Sequence, residues 1–410
     1  MKIHRAVKRL LGLLTGSLLL SGCLIDQIGG AYTRPPEELE TTGSPAAKKL
    51  IDEAFAGLDP SRLVDFHTHI VAIGTTVPDA FVNPKMRRGI SLYRVKFLIY
   101  ASAAGITKLE NADRVYIDRL VHLARAIKGH GKFRILAFDK HYRSDGTVNL
   151  AKTSIYVPNR YVVDLALQYR DIFLPVISIH PYRRDAIEEL EKWAKAGVKY
   201  VKWLPNAMGM DPADNAVEPF YRKMKEYHMI LLSHAGEEQA VDAEEDQRFG
   251  NPLLLRKPLD MGVRVVVAHA ASLGTCDDLD NPAAEKPSCF ELFLRLMDEP
   301  KYVGLVFGEI SALLQFNRMP GSMTTLLKRQ DLHSRLVNGS DYPLPAINSL
   351  IWTRSLANDG FISAEERQAL NEIYDYNPLL FDFVLKRTIR HPETQQKLAP
   401  SVFMANPGLE

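Results

Sequence analysis

The stretch VDFHTHI, residues 64–70, is an apolar, β-rich run interrupted by His67 and His69. Successive side chains of a strand turn to opposite faces, so the two imidazoles are expected on one face, roughly 6.5–7 Å apart, with Phe66 and Thr68 on the other. Two neutral imidazoles on one face can hold a metal ion through their ring nitrogens. Two core histidines satisfied by backbone carbonyls would look the same, so the rest of the chain has to decide.

Beyond residue 60 the chain alternates short β-rich runs with helix-like segments, the pattern of a parallel α/β fold. The runs are 63–69, 133–139, 172–180, 198–204, 229–235, 263–270, 302–310 and 335–341. Eight such runs predict a (β/α)8 TIM barrel over residues 61–390. VKFLIYASAAG, residues 95–105, would make a ninth strand by propensity, because a short apolar run has no decisive period. It is read as helical, inside a helical insertion after strand 1 that spans 71–132 and includes the amphipathic stretch NADRVYIDRLVHLARAIKG. An insertion there emerges at the C-terminal rim of the barrel, where active sites lie, and is a candidate lid. Ser363 and Glu366 have capping-box spacing before a helix, PLLFDFVLKR follows as an apolar helix, and residues 391–410 form a tail.

The other end of the chain has a different character. Lys2, Arg5, Lys8 and Arg9 precede the apolar run LLGLLTGSLLL, the pattern of an export signal too short to span a membrane. Its ending, LSGC, resembles the lipobox of bacterial lipoproteins, which implies a signal peptide over 1–22 and a lipid on Cys23. Leu24 rather than Asp after that cysteine implies the outer membrane of a Gram-negative envelope. Residues 23–60 then read as a tether with a helix begun by Ser44 and Pro45 and ended by Gly57. Loss of residues 1–22 removes four bases and no acid, so 51 bases against 49 acids become 47 against 49, a net charge of −2. Nothing in that balance favours nucleic acid. Cys276 and Cys289 lie in a polar loop where an exported protein could bridge them, and two unpaired thiols are the alternative.

Five histidines fall at the C-terminal ends of the proposed strands: His67, His69, His180, His234 and His269. Lys202 lies on the fourth run, and Asp341 ends the eighth in NGSDYP. Closure of a barrel sets the last strand beside the first, which brings Asp341 towards His67 and His69. This ordered set, H-x-H on strand 1, lysine on strand 4, histidines ending strands 5 and 6 and aspartate ending strand 8, resembles the amidohydrolase superfamily of metal-dependent hydrolases. The segments VISIHP, SHAGEE, GEISALLQFNR and NGSDYPLP are similar to its branch that includes aminocarboxymuconate semialdehyde decarboxylase and related hydrolases and lyases.

The resemblance implies one or two divalent ions, zinc first among them, and a hydrolase of a small-molecule amide, ester or lactone. His67, His69 and Asp341 would hold one ion, with Asp341 as general base for an activated water. His234 and His269 would be further ligands, or His269 would polarise the substrate carbonyl. Lys202 would bridge two ions if carboxylated by carbon dioxide; an unmodified lysine that binds substrate is the alternative. His180 is a weaker candidate for substrate contact, with a satisfied rim histidine as its alternative; Glu309 could contact substrate or a histidine of the site, with a structural hydrogen-bond role as its alternative. Glu237 could orient a ligand, and Arg87, Arg88 and Arg94 read as a solvated face. There is no G-x-S-x-G elbow, H-E-x-x-H helix or Walker loop, so serine hydrolase, zincin and nucleotide triphosphatase chemistry lack support. A nonhydrolytic decarboxylase on the same site and a catalytically inactive binding lipoprotein are the competing readings.

Overall fold

The computed structural model describes residues 33–410. The signal-peptide and Cys23 expectations lie outside the described residues. Eight parallel strands form the centre: β1 Val64–His69, β2 Lys132–Leu136, β3 Phe173–Val176, β4 Tyr200–Trp203, β5 Ile230–His234, β6 Arg264–Ala268, β7 Val306–Glu309 and β8 Leu336–Val337. Their hydrogen bonding divides into a three-stranded sheet, β1–β2–β3, and a five-stranded one, β4 to β8 in order. Single bridges join the two sheets, Ile177 to Val201 on one side and Thr68 to Tyr342 on the other. The result is a (β/α)8 barrel whose ladder is thin at two seams. Helices follow the strands on the outside, among them Ala112–Arg125 after β1, Asn159–Gln168 after β2 and Cys289–Asp298 after β6.

The helices begin where local chemistry favours it. Ser44 caps Pro45–Phe55 through the amide of Ala47, and Ser288 and Ser363 form capping boxes with Glu291 and Glu366. Residues 95–103 of that run belong to the helix Leu92–Ala103, and the run is not a ninth strand. The amphipathic stretch assigned to the insertion is the outer helix Ala112–Arg125. Its Asp113 carboxylate accepts from the amides of Ile73, Thr75, Thr76 and Val77, which fixes the loop leaving β1. The insertion also carries Phe81–Val82, paired antiparallel with Ile155–Tyr156 from the loop after β2.

Regular alternation along β1 fails. The pairing with β2 shifts between Asp65 and Thr68, a bulge that places one extra residue on β1. Phe66 therefore packs inside the barrel with Val64, Leu136, Ile230 and Phe307, while His67 and His69 still face the cavity above. Residues 391–410 close the opposite mouth: Leu409 joins that interior cluster, and its carbonyl accepts from Tyr200 Oη at 2.6 Å. Among the described residues no helix is long and apolar enough to cross a membrane.

Candidate active site

β1 and the end of β8 meet at the floor of a cavity of about 370 Å³. His67 Nε2 lies 3.2 Å from His69 Nε2. Asp341 Oδ1 is 3.0 Å from His69 Nε2 and 3.6 Å from His67 Nε2. The backbone of Asp341 reaches this place in a left-handed conformation, φ 59°, and His269 has φ 55°. Such angles cost a non-glycine residue of order 1–3 kcal/mol, and they persist where surrounding contacts over-determine them.

Glu309, fully buried at the end of β7, sits beneath His67. Its Oε2 lies 3.0 Å from His67 Nδ1 and accepts from Ser311 Oγ at 2.8 Å and from the His269 amide at 3.2 Å. The Ser311 amide donates to the other oxygen, Oε1. A carboxylate against Nδ1 holds the ring proton there and leaves the Nε2 lone pair facing the cavity. Burial, then Lys202 and neighbouring imidazoles, hold His67 well below the usual histidine range, so the ring is neutral. A neutral Nε2 acceptor and a carboxylate oxygen thus converge on one point beside a second imidazole. That donor set fits a divalent cation.

The remaining candidates divide. His234 and His269 approach with ring centroids 5.3 Å apart; burial first, then cations such as Lys202 and Arg318, holds both well below the usual range. His234 Nε2 is buried without a hydrogen-bond partner, 3.6 Å from Glu238 Oε2. His269 Nδ1 pairs with Ser311 Oγ at 2.8 Å. Lys202 Nζ is 3.4 Å from His67 Nε2, and burial lowers its pKa to about 8 against the pull of Asp341, Glu309 and Glu238. These residues all border the cavity.

Two assignments to substrate are corrected. His180 is fully buried and does not line the cavity; β3 ends at Val176, four residues before it. Its Nε2 is on Met208 O at 2.9 Å and its Nδ1 accepts from the Tyr182 amide. Glu309 is not a cavity residue either; it supports His67 and His269 from below. Cys276 and Cys289 form a disulfide with Cα atoms 5.0 Å apart.

Sequence reasoning missed Glu238 and Arg318. Glu238, not Glu237, borders the cavity, buried and with its carboxyl raised by desolvation. Both glutamates stand in SHAGEE, and only the loop's path separates them. Arg318, within GEISALLQFNR, is half-buried; Nη1 donates to Ser272 Oγ at 2.9 Å and the buried Nε has no partner. The walls are apolar and come from two sources, the insertion with Ile73, Met86, Phe97 and Tyr100, and the later loops with Phe138, Phe316 and Leu350. The insertion thus lines part of the site.

The model of the amidohydrolase family matches residues 64–368. No curated protein matches the chain. Solved structures that resemble it include an uncharacterised TIM-barrel protein from Bordetella bronchiseptica, at 16% identity over 76% of this chain and 95% of that one, with a TM-score of 0.47. A probable 2-pyrone-4,6-dicarboxylic acid hydrolase from Acinetobacter baumannii aligns at 13% identity over 77% of this chain and 100% of that one, TM-score 0.44. A 5-carboxyvanillate decarboxylase from Sphingomonas paucimobilis aligns at 11% identity over 79% and 96%, TM-score 0.44. Likenesses this distant leave the reaction to be argued from the residues themselves. The family match, which covers most of the barrel and every residue of the cation-binding floor, has one conclusion: this chain is an enzyme of the amidohydrolase family.

Proposed function

We propose that the chain is a metal-dependent hydrolase of an amide, ester or lactone bond in a small, largely apolar molecule. The observation that carries this reading is the convergence of His67 Nε2, His69 Nε2 and Asp341 Oδ1 at the floor of an apolar cavity. These three residues would hold a divalent ion, zinc being the best match to two imidazoles and a carboxylate, and when bound it would supply an acidified water and a polarised carbonyl. Asp341 accepts the proton of the attacking water and hands it to the leaving group. Lys202, fully buried, and Arg318, half-buried, are cations beside the cavity and stabilise negative charge that develops on the substrate oxygen. The apolar walls exclude water and hold the rest of the substrate.

The same cations favour a second reading, nonhydrolytic decarboxylation, in which Arg318 and Lys202 hold a carboxylate, the bond from that carboxylate to the substrate carbon breaks with release of carbon dioxide, and the carbon takes a proton from water. The alternative to Lys202 as a cation is a site of two ions, in which the unpartnered His234 Nε2 and His269 would take the second and Lys202 would be carboxylated. A lysine lowered to about 8 has a larger neutral fraction than an ordinary lysine, and the neutral amine is the form that captures carbon dioxide. We place the enzyme in the cell envelope, lipid-anchored at Cys23. The leader pattern and the Cys276–Cys289 disulfide support that location, since disulfides persist in oxidising compartments.

Metal analysis with a screen of acylated and carboxylated small molecules tests the reading. At least one bound ion is expected, with activity lost on chelation and restored by zinc or manganese. Asp341→Asn should lower turnover by roughly 10²–10⁴-fold with the fold retained. Acid production without carbon dioxide identifies the hydrolase, and carbon dioxide release identifies the lyase. A chain that binds no metal under any of these conditions would remove both.

A further inference from the structure

The strained Asp341 backbone must be held by something, and its neighbours show what. The Asp341 amide donates to His67 O at 2.7 Å. The Ser340 amide donates to Asp65 Oδ1 at 3.0 Å, the oxygen that also accepts from the His67 amide at 2.9 Å. Gly339 O accepts from Lys386 Nζ at 2.6 Å. Residues 339–341 are thus each tied, one of them by an ammonium from the outer helix Pro378–Thr388.

We infer that Lys386 is a positioning residue for the metal site, acting through Gly339 from outside the cavity. Lys386 is fully buried, and its other partner, Asp382 Oδ2 at 2.6 Å, lies one helical turn away. Burying such a pair is costly, and two apolar residues of the same volume would commonly be as stable. The pair's distinctive product is a fixed donor aimed at Gly339 O. Gly339 is a joint between the ligand strands: a Cβ built there would lie 2.5 Å from Glu309 Oε1 and 2.6 Å from the His67 Cβ. A backbone shift at 339 therefore presses on His67, on the carboxylate that orients His67, and on Asp341 two residues later. Lys386 is not a catalytic residue, since it does not line the cavity; it reaches the site through this peptide and through its charge, which favours the Glu309 and Asp65 carboxylates. The inference rests on His67, His69 and Asp341 forming the metal site of the proposed function.

The test separates positioning from stability, using the full chain and cobalt as the probe. Lys386→Met removes the donor and leaves Asp382 unpaired. Lys386→Met with Asp382→Leu also removes the buried carboxylate, so folding stability should largely return while Gly339 O still lacks its donor. Asp382→Asn keeps the donor and removes its counter-charge. Cobalt affinity should fall about 10–100-fold in the first two variants, as it does when groups that orient ligands are removed, and the visible absorption bands of the cobalt protein should change. Asp382→Asn should keep cobalt affinity and spectrum near wild type even if its unfolding midpoint drops. Recovery of cobalt binding together with stability in the double variant would overturn the inference, making Lys386 merely structural. So would a wild-type spectrum in Lys386→Met. If the double variant does not fold, Lys386→Met and Asp382→Asn decide by the same two readouts. Wild-type protein that binds no cobalt would instead indict the metal site itself, a different failure.

Discussion

Replacing Glu309 by Gln should loosen the site from beneath while leaving the cavity lining intact. Glu309 takes four donors on two oxygens: His67 Nδ1, Ser311 Oγ and the His269 amide on Oε2, and the Ser311 amide on Oε1. An amide keeps one acceptor oxygen. If that oxygen takes the Oε2 position, the amide nitrogen faces the Ser311 N–H; if it takes the other, the nitrogen faces three donors. The better choice still leaves one buried donor unmatched, at about 1–3 kcal/mol. It also turns a charge-assisted bond to His67 into a neutral one roughly half as strong. A less basic, less firmly oriented His67 should weaken metal binding by about 10–100-fold. Competition against a chromophoric chelator measures the affinity, and urea unfolding of the metal-free protein measures the stability. Affinity within twofold of wild type and stability within about 0.5 kcal/mol would refute the assignment of Glu309 as the support of His67, since that is the scatter expected of an inconsequential substitution.

Three further outcomes follow from contacts away from the floor. Asp113→Ala should cost about 3–5 kcal/mol in urea unfolding, because two of the four amides it leaves, those of Ile73 and Val77, belong to buried residues. Burial raises the Asp382 carboxyl to about 6 from an unfolded value near 3.8, so the folded state binds the proton more tightly. The stabilisation is full below pH 3.8 and disappears as pH rises to about 6; stability measured against Asp382→Asn should lose that slope. Replacing Cys276 and Cys289 together by Ser opens a link of sequence separation 13 and should lower stability by about 3 kcal/mol, measured as a shift in the urea midpoint.

The amino-acid sequence by itself determined the strands and the chemistry at their ends. Eight β-rich runs, each followed by helix-forming chain, have one economical closed arrangement, and barrel closure alone predicts that Asp341 meets His67 and His69. Those are local patterns and a topological consequence of them. The tertiary structure decided where a local pattern breaks. The bulge in β1 sends Phe66 inward below His67, against regular alternation, because the register is set by β2 and not by the strand's own residues. His180 does not line the cavity; its strand ends four residues before it, and a carbonyl on the next loop, Met208 O, captures the ring. Glu309, Arg318 and Lys386 owe their roles to partners tens to hundreds of positions away: His67 for Glu309, Ser272 for Arg318, Gly339 for Lys386. A side chain's identity fixes what it can donate or accept, but burial and the neighbour it meets fix what it does, and both arise only when distant segments pack together.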